Sequence, residues 1–142
     1  LSAARDSAPQ ERLPLGLEAT VEKIVPPEWT LSAFDHRLPP VLSTPAMIGM
    51  MEVAAAKAVQ SSLPEGSITV GTRIEVDHLK AVLSGTLVYA TARLARYEGR
   101  FLVFEVEART EDVTLGRGRV FRAIVESKSF RSRADARSKD NK

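Results

Sequence analysis

A chain of 142 residues, 44% apolar and 27% charged, is long enough for one domain with a buried core and too ordinary in composition for a disordered or fibrous protein. It contains no Cys, which excludes disulfide frameworks, thiolate nucleophiles and Cys-based metal sites. The net charge of +2 hides a gradient: residues 131–142 carry five Arg and Lys against Asp135 and Asp140, so the remainder is slightly acidic and no nucleic-acid-binding body is expected.

Residues 1–13 are polar, begin without Met and lack an apolar run, so they read as a disordered lead and not as a signal peptide. The folded domain is expected over 14–130, with 131–142 a basic disordered tail that could act as an electrostatic arm. The expected location is cytoplasmic. Leu15 to Val25 alternates in part, with Leu17, Ala19 and Val21 on one face, as a first strand that Pro26-Pro27 stops. Glu28 to Phe34 can close one short helical turn with Trp29 packing as a lid, and Pro39-Pro40 keeps DHRLPPVLS a loop.

Thr44 to Leu63 is the central element. Thr44 can cap the first turn, Pro45 suits the first helical position, and Pro64 and Gly66 are stop signals. From Ala46 to Val59 the helix is apolar nearly all round, so it must be enclosed. An ionisable Glu52 at its middle and Lys57 near its end argue against a membrane span. Glu52 is therefore the oddity of the chain, since a carboxylate is seldom buried without a partner or a function.

After the helix the period becomes two. Ile68, Val70, Thr72, Ile74, Val76 and His78 fall on one face, with Thr69, Gly71, Arg73, Glu75 and Asp77 on the other. Ser84-Gly85 turns into a strand over Thr86–Tyr97 with Val88, Ala90, Ala92 and Leu94 inward. Glu98-Gly99 makes a hairpin into Arg100–Thr110 with Leu102, Phe104, Val106 and Ala108 inward. The last strand, Val113–Ser127, turns Val120 and Ile124 inward, and Gly116 and Gly118 leave room for a close neighbour. One strand, a long helix and four strands joined by short turns describe an α+β hotdog fold, a curved antiparallel sheet of about five strands around one central helix. A cystatin- or NTF2-like cone is the rival architecture, but it places more helix ahead of the strands.

His78 continues the inward face of its strand. It is either a core histidine satisfied by a backbone carbonyl or a general base tuned by a carboxylate. Glu52 is either that carboxylate or the partner of Arg122, which lies between Val120 and Ile124 and needs an anion. Thr44 is either only a cap or a hydroxyl at the positive end of a helix, where amides can steady an oxyanion. Along an ideal helix Thr44 and Glu52 are about 12 Å apart. Either His78 bridges them, or the site is shared across a dimer. Gly71 is a close-approach position or a bulge. His36 reads as an exposed loop residue, Met47, Met50 and Met51 as core or pocket lining, and GRGR at 116–119 is not a phosphate loop because no helix follows.

The runs VLSTPAMIGMMEVAA and VGTRIEVDHLKAVLSG resemble the hotdog thioesterases of the fluoroacetyl-CoA thioesterase family, over about Leu15 to Phe130. The resemblance implies that Thr44, Glu52 and His78 form the catalytic set and that Gly71 and Arg122 shape the acyl end of the site. It also implies hydrolysis of an acyl-CoA or related pantetheine thioester, a homodimer or higher oligomer, no metal, and no cofactor beyond the coenzyme A of the substrate. Asp35 and Leu38 stand about where that family carries Phe rings, so the acyl specificity is left open, and Lys80, Arg96 and Arg100 are candidate CoA contacts by charge alone. Two rivals remain. A hotdog hydratase would need an Asp and His paired near the helix start, which this chain lacks; a non-catalytic acyl-CoA or small-molecule binding module would use the same residues structurally.

Overall fold

The computed structural model describes residues 12–140. Five strands form one antiparallel sheet: β1 (Glu18–Ile24), β2 (Ser67–His78), β3 (Leu87–Glu98), β4 (Phe101–Arg109) and β5 (Thr114–Glu126), in the order β1-β3-β4-β5-β2. Helix α1 (Thr44–Gln60) lies in the hollow of this sheet and packs mainly on β3 and β1. Two short 3-10 turns, Pro27–Trp29 and Leu31–Ala33, carry the chain from β1 toward it. This is the expected hotdog arrangement.

The inward faces of β3 and β4 are those their alternation predicts. Val88, Ala90, Ala92, Leu94, Leu102, Phe104, Val106 and Ala108 are all buried against Met47, Met51, Ala54 and Ala55 of α1. Burying a Leu, Met or Phe here contributes about 1.5–3 kcal/mol each. The small Ala residues on β3 let α1 lie close to the sheet. The hairpin at Glu98-Gly99 closes as its residues require, with Gly99 at φ 59°.

Four expectations change. First, β2 does not keep one phase. A bulge between Gly71 and Arg73 inserts Thr72 unpaired, so Gly71 pairs with Arg122 and Ile74 with Val120. Thr69 and Gly71 thereby join Ile74, Val76 and His78 on the inner face, while Ile68 and Val70 go to the outer one. Second, α1 is not enclosed all round: Gly49, Val53, Lys57 and Gln60 form an exposed stripe, whose upper part opens a groove of about 430 Å³ against Val21, Lys23 and Trp29. Third, the helix ends at Gln60, with Ser61 as its C-cap and a turn before Pro64.

Fourth, residues 131–140 are helical. Helix α2 (Ser127–Asp140) starts where the Glu126 carboxylate accepts from the Ser129 amide at 3.1 Å and from its hydroxyl, a side-chain cap. Ala, Arg and Lys then propagate the helix, aided by Arg131 and Asp135 one turn apart. High charge alone argued for disorder, but local capping and propensity decide otherwise. The expected N-terminal disorder falls largely on residues 1–11, outside the described residues; Arg12 donates to the Gly99 carbonyl at 3.0 Å and lies over the Tyr97 ring.

Candidate active site

Ser43, not Thr44, caps α1. Its backbone is extended, at φ −77° and ψ 153°, and its hydroxyl accepts from the Ala46 amide at 3.3 Å. Thr44 is already helical and Pro45 follows it in the first turn. Relieved of capping, the Thr44 hydroxyl lies 2.7 Å from His78 Nδ1. His78 is brought there by the inner-face phase of β2 beyond the bulge, opposite Gly116. A Cβ at Gly116 would collide with the Met47 side chain and the Asp77 carbonyl, and one at Gly118 with the β2 backbone. The close neighbours that these two glycines admit are therefore Met47 and β2 itself.

The start of α1 offers fewer free amides than expected. Pro45 has none, and those of Ala46 and Met47 are taken by the Ser43 hydroxyl and carbonyl, which among the described residues leaves the Thr44 N–H. Isolated bridges from Thr30 to Leu42 and from Val41 to Leu83 tie together the segments that lead into α1 and out of β2. Phe34, Leu38, Leu79 and Leu83 on those segments are exposed apolar side chains, and Leu79 directly follows His78. Asp35 is clamped by Arg37, which bonds it at 2.8 Å and 3.0 Å and holds its carboxyl below the ordinary carboxylate range.

Glu52 belongs to a second polar cluster. Its Oε1 accepts from Arg122 Nη1 at 2.6 Å. Arg122 also donates from Nε to Thr69 Oγ1 and from Nη2 to the Thr69 carbonyl, both at 2.8 Å. The Arg122 side chain is 9% exposed and that of Glu52 29%, so the carboxylate is half-buried, less than the sequence led us to expect. Gly71 completes the cluster: a Cβ there would stand 2.5 Å from Glu52 Oε2. The carboxylate approaches this strand because position 71 has no side chain, and because the bulge turns it inward.

Of the five residues singled out from sequence, Thr44 and His78 thus meet, and Glu52, Gly71 and Arg122 meet, while within the chain no Glu52 oxygen bonds His78. Thr69, invisible to the pattern because it sat on the wrong face, is the residue missed; the Gly at 71 was its one sequence signal. Among the described residues no group of three His, Asp or Glu side chains could hold a metal. No described helix is long and apolar enough to cross a membrane.

Residues 25–128 match the family described as fluoroacetyl-CoA-specific thioesterase. The fluoroacetyl-CoA thioesterase of Streptantibioticus cattleyicolor is 32% identical over 125 residues, 84% of this chain and 90% of that protein. A solved structure of a single-residue mutant of the fluoroacetyl-CoA-specific thioesterase, in complex with fluoroacetate and CoA, superposes with a TM-score of 0.74 at 31% identity, covering 83% of this chain and 99% of that one. A thioesterase superfamily member from Thermus thermophilus superposes at 0.81 with 32% identity, over 92% and 96% of the two chains. With most of the domain covered and the fold shared, the chain belongs to the fluoroacetyl-CoA-specific thioesterase family.

Proposed function

We propose that this thioester hydrolase cleaves an acyl-CoA with Thr44, His78 and Glu52, and that its working unit is a homodimer. Hydrolysis of a CoA thioester follows from the family; the residue roles rest on the Thr44–His78 contact at 2.7 Å, which carries the reading. With its proton on Nε2, His78 accepts the Thr44 hydroxyl proton through Nδ1, whether Thr44 itself or a water held by it attacks the carbonyl. The Thr44 N–H faces the oxyanion, the C–S bond breaks, and the thiolate leaves with the proton that His78 took. Where Thr44 itself attacks, a water deprotonated by His78 then cleaves the acyl–Thr44 ester and the proton returns to the Thr44 oxygen. Coenzyme A enters as part of the substrate, with no further cofactor. The expected cytoplasmic location belongs to this reading, because CoA esters are used there.

Glu52 requires the dimer. β2 is a long edge strand, and Ile74 (38%) and Ile124 (42%) stay exposed on the inner face that α1 leaves uncovered. Antiparallel pairing of β2 with its copy runs the His78 end of one strand back along the other toward its start, which carries one protomer's Glu52–Gly71 cluster closer to the other's Thr44–His78 pair than to its own.

The test is thiol release from short, long, branched and aromatic acyl-CoAs. Thr44→Ala, His78→Ala and Glu52→Gln should each lower kcat by about 10²- to 10⁴-fold with the fold kept. Unchanged turnover in the first two sinks the assignment. Mixing Thr44→Ala with Glu52→Gln subunits should restore activity if sites are shared; no recovery, or a monomer by light scattering, removes the dimer from the reading.

A further inference from the structure

Thr69 holds Arg122 by two atoms. The Nε and Nη2 hydrogens along one edge of the guanidinium meet the Thr69 hydroxyl and carbonyl oxygens, which leaves Nη1 to meet Glu52. A guanidinium gripped along one edge has its plane and direction set, as a singly bonded one does not. Thr69 is itself buried, at 6% exposure, and faces Arg122 only because the Thr72 bulge shifts the phase of β2. The Thr72 hydroxyl donates to the Phe121 carbonyl at 3.1 Å and closes that bulge.

We infer that Thr69 is a positioning residue of the hydrolytic site: through Arg122 it aims the Glu52 carboxylate, and Arg122 serves to orient Glu52 more than to touch the acyl group. This rests on the reading that Glu52 takes part in hydrolysis. Gly71 limits the carboxylate on one side and Arg122 on the other, so a guanidinium that swings takes the carboxylate with it. A displacement of about 1 Å at a reacting group can cost about 10²-fold in rate.

The experiment is steady-state thiol release by Thr69→Val, Thr69→Ala, Thr69→Ser and Glu52→Gln, with melting temperatures measured beside it. Val keeps the volume and removes the hydroxyl; Ala is the companion should Val not fold. Folded Thr69→Val or Thr69→Ala should lose kcat at least about tenfold with KM little changed, a split that general loosening would not produce. Thr69→Ser keeps the oxygen and should recover most of that loss. Adding Thr69→Val to Glu52→Gln should cost nothing further, because both act through one group. A Thr69→Val or Thr69→Ala enzyme within about twofold of the parent, a Ser variant no better than Val, or an additive double mutant overturns the inference. The two failures separate cleanly: an active Glu52→Gln removes the catalytic reading, whereas an inactive Glu52→Gln beside an active Thr69→Val removes this proposal alone.

Discussion

The two faces of the sheet both carry Arg–carboxylate pairs, and they use them differently. On the convex face one register row crosses all five strands with alternating sign: Glu18, Arg93, Glu105, Arg119, Glu75. Its contacts, Arg93–Glu105 at 3.5 Å and Arg119–Glu75 at 3.1 Å, have solvent-exposed guanidiniums. Such pairs are screened and each contributes about 0–1 kcal/mol. They favour one strand register and balance the charge of the face. On the concave face Glu52 is about as exposed as Glu75, but its partner Arg122 is buried, with Thr69 supplying the guanidinium's remaining bonds. There the electrostatics are stronger, and each unmet bond costs more. Identical chemistry thus sets a register on one side and aims a carboxylate on the other.

That contrast can be broken from the concave side first. Arg122→Met removes the cation and leaves a half-buried carboxylate and two Thr69 oxygens unpaired; the expected loss is about 3 kcal/mol at most, since Glu52 keeps some water, and urea unfolding measures it. An unaltered midpoint would make this pair no different from the convex ones. Gly71→Ala acts on geometry alone. The new methyl meets the Glu52 carboxylate, which can swing away only by leaving Arg122, so turnover should fall roughly tenfold and the melting temperature should drop by less than in Arg122→Met, because Thr69 still holds the guanidinium. A fully active Gly71→Ala would show that the carboxylate needs no exact seat.

Glu105→Gln tests the convex row and should change stability by no more than about 0.5 kcal/mol, with kcat unaltered and high salt erasing the difference. A larger shift would mean that the row behaves as a network. The smallest effect concerns α2. Ser129, by its hydroxyl and then its N–H, holds the Glu126 carboxyl below its ordinary 4.5. A depressed carboxyl stabilises the fold above its unfolded value and loses that contribution as pH falls through the folded one. The far-UV CD signal of α2 should therefore weaken in acid, and Glu126→Gln should remove that pH-dependent part.

Much of this molecule was determined locally. Alternation placed the inward residues of β3 and β4, Gly99 its hairpin, and the apolar run of α1 its place in the hollow of the sheet, because these follow from side-chain period and backbone preference. The polar residues stood out for the same reason, as departures from the pattern. Which of them meet was decided by tertiary structure. A period of two counts residues evenly and is blind to one extra residue, so the bulge at Thr72, closed by a bond to distant Phe121, moved Thr69 and Gly71 to the face that Glu52 approaches. Ser43 and Thr44 are both cap residues by type. The backbone that carries the loop into α1 gave the cap to Ser43 and left the Thr44 hydroxyl for a histidine 34 positions away.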